Sequence, residues 1–178
     1  MGLDYSIEVG IRDRRTNSDV AEIEIGYWRK CYSLRSETML VALKDEDKVL
    51  RRDSDYFIET TIDVLEDIIK FLSAAIPDED NDIFTQSIWG GIVARMITVK
   101  QLERMIPWHS LFLRFPDIID DDKETRKLRL EELEDIDILK YIEYDMTKTG
   151  NGSGTIDLKG ILMDIENYQF TLRIYNSY

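Results

Sequence analysis

The chain has 178 residues, a 43% hydrophobic share with nine Tyr, six Phe and three Trp, and a formal net charge of −13. That length fits one domain, and the aromatic and β-branched content excludes a disordered acidic tail, which lacks the side chains for a core. One cysteine, Cys31, and one histidine, His109, exclude an internal disulfide and a Cys/His zinc site.

Tyr5, Ile7, Val9 and Ile11 alternate with Ser6, Glu8 and Gly10; later, Ile23, Ile25 and Tyr27 alternate with Glu22, Glu24 and Gly26. The turn-rich stretch 13–19 between them makes this a β-hairpin with one wet face. Trp28, Cys31, Tyr32, Arg35, Met39 and Leu43 then recur at 3–4 spacing, predicting a helix over about 28–43. The strongest helical pattern covers 55–75, where Ile58, Ile62, Leu65, Ile69 and Leu72 form a continuous stripe behind the N-cap candidate Ser54. Its opposite face carries Glu59, Asp63, Glu66 and Lys70, and Pro77 with the run Asp78-Glu79-Asp80-Asn81-Asp82 ends it.

Gly90-Gly91 breaks any long helix in 83–116, and Pro107 marks the start of a new short one. The Lys, Glu, Arg and Leu of 120–137 predict a charged surface helix with Leu130, Leu133 and Ile136 inward. Alternation returns over 139–146, a polar loop covers 147–154, and strand-like runs follow at 155–165 and 168–175. The expectation is a single α+β domain over 1–178, with an N-terminal hairpin, C-terminal strands and several helices between.

The segments Met1-Gly2-Leu3-Asp4-Tyr5 and Gly26-Tyr27-Trp28-Arg29-Lys30-Cys31, with the ending Arg173-Ile174-Tyr175-Asn176-Ser177-Tyr178, resemble a group of uncharacterised bacteriophage and prophage proteins. Asn176 stands where that ending has Asp. The resemblance covers about 50 residues at the ends of the chain and implies a phage-encoded accessory protein. It supplies no activity. Asp4 and Glu8 interrupt any early apolar run, so no secretory leader is expected and the cytoplasm of a bacterial host is the expected location.

The negative charge is concentrated. Residues 45–82 carry 13 acids against 4 bases and residues 117–145 carry 12 against 5, whereas the ends balance and 83–116 is mildly basic. Confined charge creates a directional potential and points to a basic partner. The carboxylates of Glu59, Asp63, Glu66 and Asp67, joined by Asp78, Glu79, Asp80 and Asp82, would form a row on one helix face, spaced about 5–6 Å. Such a row imitates a phosphate track. Asp117, Asp120, Asp121 and Asp122 open the second block. The expected function is therefore non-enzymatic: an acidic surface binds a basic protein, in its concrete form a host nucleic-acid-binding or defence enzyme that it occludes.

The other candidate chemistry is thinner. Asp157-x-Lys159 on a strand-like run matches a magnesium nuclease, with the carboxylate as metal ligand and the lysine polarising water, but Glu46-x-Lys48 and Asp121-x-Lys123 match it equally. Asp78-x-Asp80-x-Asp82 begins like a calcium loop, yet Ile83 and Trp89 occupy the glycine and glutamate positions. The glycines of 150–154 lack the lysine of a phosphate loop. No cofactor, metal, nucleic acid or membrane partner is expected, and a virion assembly protein is the remaining alternative.

Overall fold

The computed structural model describes residues 4–29, 39, 41–53, 56–75, 91–134, 136, 138–139, 146–149 and 152–177. The N-terminal alternation forms strands β1 (Asp4–Asp13) and β2 (Ser18–Arg29). Tyr5, Ile7, Val9 and Ile11 are buried along β1, and Asn17 takes the left-handed turn conformation, φ 53°, that Asn tolerates. Four further described strands are β3 (Val49–Asp53), β4 (Phe57–Thr61), β5 (Met146–Thr149) and β6 (Gly152–Thr155), and β7 (Tyr168–Ser177) closes the chain.

Five strands form an antiparallel sheet in the order β2-β1-β7-β4-β3, and β5 pairs with β6 in a separate ribbon. The C-terminal strand thus lies at the centre. Phe170 through Ile174 are all buried, as a strand covered on both faces requires. The described helices are α1 (Val64–Ala75), α2 (Gly91–Leu113), α3 (Phe115–Asp120), α4 (Lys123–Glu132) and α5 (Leu158–Met163). The architecture is α+β, as the element pattern predicts. Among the described residues, no helix is long and apolar enough to cross a membrane.

Several expectations change, among them the polar loop over 147–154, where β5 and β6 pair instead. The stripe over 55–75 is not one helix: Phe57–Thr61 is strand and the helix starts at Val64. Ile58, Thr60 and Thr61 are β-branched, and pairing with β3 (Arg52 opposite Ile58, Arg51 opposite Glu59) overrides a helical spacing that crosses two elements by coincidence. The predicted helix from Trp28 instead begins with strand, because β2 runs on to Arg29; Met39 and 41–43 are helical, and 30–38 lie outside the described residues. Pro107 sits inside the continuous α2. It forfeits one backbone hydrogen bond, while Met105, Trp108, Leu111 and Phe112 around it are buried. Finally, the predicted strand over 155–165 is the end of β6 followed by α5.

Chain contacts group into two compact units, one of Met1–Glu8, Glu24–Ile106 and Leu172–Tyr178, the other of Val9–Ile23 and Pro107–Thr171. In the first, the Tyr5 and Trp28 rings lie 5.1 Å apart, and Phe57 and Tyr175 lie 4.8 Å apart. Gly26 sits where the chain needs no side chain, since a Cβ would meet Met105 Cε at 2.5 Å and the Trp28 ring at 2.8 Å. Tyr27 accordingly points out while Trp28 is buried, the reverse of the alternation expected. In the second unit, Phe112, Phe115 and Phe170 form an aromatic cluster with centroids 4.9–5.6 Å apart, arranged edge to face.

Candidate functional site

The first acidic block does not present the row expected of it. Glu59 lies in β4, is 1% exposed, and accepts a 3.0 Å hydrogen bond from Arg173 Nε of β7, itself 3% exposed. A strand points alternate residues to opposite faces, so Glu59 cannot line up with acids on α1. Asp63 is exposed before α1 but receives the Lys48 ammonium at 2.7 Å and the Thr61 hydroxyl. Burial raises its carboxyl, and the Lys48 and Thr61 hydrogen bonds outweigh that and hold it below the ordinary range. Glu66 pairs with Lys70 one turn on, at 2.7 Å, and that bond raises the Lys70 ammonium. Asp67 is exposed. Asp78, Glu79, Asp80 and Asp82 lie outside the described residues.

The second block is organised around two arginines. Arg126 of α4 is 5% exposed, and its guanidinium donates to the carbonyls of Ile118, Asp121 and Met163 at 2.7–3.1 Å and to Glu166 Oε2 at 2.7 Å. Its spacing shows why it is inside: it lies four residues before Leu130 and seven before Leu133, on the same helix face. The hydrogen bond at Glu166's own backbone amide, followed by the one from Arg126, holds that carboxyl below its ordinary range. Arg129, half-buried, donates to Asp121 and lies 3.8 Å from Asp117. Asp122 caps α4, accepting from the Thr125 amide at 2.9 Å, and that bond lowers its carboxyl. Asp120 is exposed at the end of α3.

The internal pairs therefore consume Asp121, Arg126 and Arg129, with Asp117 also beside Arg129 and Glu134 beside Lys159, while the segment's other acids face outward. Asp117, Asp120, Asp122, Glu124, Glu131, Glu132 and Glu134 are exposed, against the exposed cations Arg114, Lys123 and Lys127. Drawing Arg126 inside and covering Arg129 leaves a surface more acidic than the composition of the segment.

The Asp157-Lys159 pair is differently employed. Asp157 is the N-cap of α5, its Oδ1 accepting from the Gly160 amide at 2.9 Å, and Lys159 pairs with Glu134 at 2.7 Å. His109 is half-buried on α2, its Nε2 buried and without a hydrogen-bond partner among the described residues. Among the described residues, no group of three or more His, Cys, Asp or Glu is arranged to hold a metal ion.

Comparison with protein-family models, curated proteins and solved structures finds no match. Three groups escaped the sequence reading: the Glu59–Arg173 pair, the Arg126 hub and the exposed Leu128. Only Arg126 had a legible signal, its spacing from Leu130.

Proposed function

We propose that the chain is a non-enzymatic binding protein that engages a basic protein surface through the exposed carboxylates of α3 and α4. The observation that carries this reading is the sorting of charge within 114–134, where acids face solvent while Arg126 is buried and Arg129 is tied to Asp121. An outward acidic excess steers a basic partner into encounter and disfavours nucleic acids and anionic lipids, whose charge it repels. Where the partner's basic surface is the nucleic-acid cleft of an enzyme, occupying it blocks that enzyme. The face keeps the second of the two acidic blocks expected from sequence and not the helix row of the first, where Glu59 is withdrawn into the sheet and Asp63 and Glu66 have cations of their own.

The test is affinity capture from a bacterial host lysate with the natural chain and with an Asp120→Lys, Glu124→Lys, Glu131→Lys variant. These three side chains make no internal ion pair among the described residues, so circular dichroism should show the same fold. The natural chain is expected to retain a basic protein that elevated salt releases, and the variant to lose it. Equal retention by the variant would remove α3–α4 as the binding face.

A further inference from the structure

We infer that Leu128 is the apolar anchor of this acidic face and that the segment it receives is a basic amphipathic helix of a partner protein. The inference rests on the reading just given and names the chemistry of the partner. At about 100° per residue, from 3.6 residues per turn, the buried face of α4 is centred on Arg126, Leu130 and Leu133, and Leu128 points almost diametrically away. It is 61% exposed, the highest value among the large hydrophobic side chains described. Its neighbours on the outward ridge, one turn before and after, are Glu124, Glu131 and Glu132, all exposed. Lys127 lies toward one flank of the ridge.

Single exposed leucines are ordinary on protein surfaces. Here, however, the large apolar side chains exposed among the described residues of the second compact unit are Leu113, Ile119 and Leu128, the last two within the stretch that carries the outward acids and Leu113 immediately before it. A leucine ringed by carboxylates is complementary to an apolar stripe bordered by lysine or arginine, the pattern of a basic amphipathic helix. A second copy of this chain would set acid against acid, and an anionic lipid surface would be repelled.

The probe is a short Lys/Leu peptide with its leucines on one helical face, compared by fluorescence anisotropy with a scrambled peptide of identical composition. The full-length chain should prefer the amphipathic peptide by roughly five- to twentyfold, the worth of burying the remaining leucine surface. Leu128→Ser should erase the preference while leaving salt-sensitive binding of both peptides. Glu124→Gln, Glu131→Gln, Glu132→Gln should weaken both peptides and flatten the salt dependence. If Leu128→Ser keeps the preference, or the natural chain shows none, Leu128 is no anchor, and the basic-surface reading stands as long as the glutamine variant still loses affinity. If neither peptide binds above the level of the glutamine variant, both readings fail together.

Discussion

Replacing Glu59 by glutamine separates the strand placement of this residue from a solvated helix face more sharply than any other substitution. The carboxylate is 1% exposed and bonds at 3.0 Å to a guanidinium that is 3% exposed. Glutamine keeps the shape and the acceptor but removes the carboxylate charge that faces the buried Arg173 guanidinium. Breaking a buried pair from one side costs about 3–5 kcal/mol, a large part of the roughly 5–15 kcal/mol that keeps a domain folded. With a urea slope of about 2 kcal/mol per M, the unfolding midpoint should fall by roughly 1.5–2.5 M, read by circular dichroism. Arg173→Met should cost about as much. The double replacement, Glu59→Leu with Arg173→Met, should lose markedly less than the two single losses added, because their mutual attraction is counted in both single losses but can be lost only once. An exposed helical glutamate would tolerate the change within about 0.5 kcal/mol. A midpoint shift below about 0.3 M for Glu59→Gln would therefore refute the buried pair.

Other expected outcomes follow from single contacts. Arg126→Lys should destabilise by about 2–4 kcal/mol in the same assay, because one ammonium cannot reach three carbonyls and a carboxylate that the planar guanidinium serves together. Full stability in that variant would mean the hub is dispensable. Asp157→Ala removes the cap of α5 and should cost about 1 kcal/mol, whereas Asp157→Asn or Asp157→Ser should recover most of it. A loss that neither rescues would point away from capping. Arg15 hydrogen-bonds Asp13 and, against a smaller effect of burial, lowers its carboxyl from 3.8 to about 2. Because the folded value is depressed, this contribution to stability is complete above about pH 4 and is lost as pH falls through about 2. The carboxyl titration followed by NMR should show that midpoint, and Arg15→Gln should return it toward 3.8; an unchanged midpoint would discount the pair.

What the sequence revealed depended on whether local pattern and tertiary pairing agreed. The hairpin was legible because its alternation coincides with one buried face, β7 because its β-branched and aromatic run suits a strand even though both its faces are buried, and α4 because Leu130 and Leu133 repeat at helical spacing. The stretch 55–75 misled because Ile58 and Ile62 extend the true stripe of α1 backwards, and only pairing with β3 and β7 makes Phe57–Thr61 a strand. With that strand went the site, since a carboxylate assigned to a wet helix face proved to be the buried partner of a residue 114 positions away. No local signal announces such a pairing. Asp157 was misread for the opposite reason: its helix-capping role is local, but the alternation of the following residues resembles a strand. The block after Pro116 survives as a candidate surface because its charge lies on a short helix pair whose inward positions are set by Leu130, Leu133 and Arg126.

The most direct test of binding through α3 and α4 is the salt dependence of the captured partner's dissociation constant for the natural chain and for the Asp120→Lys, Glu124→Lys, Glu131→Lys variant. Binding by the natural chain should weaken steeply between about 0.05 and 0.5 M salt as the charges are screened. The variant should bind at least tenfold more weakly at low salt, with little further loss as salt rises. Matching affinities and matching salt slopes for the two proteins would contradict an acidic binding face on this part of the chain.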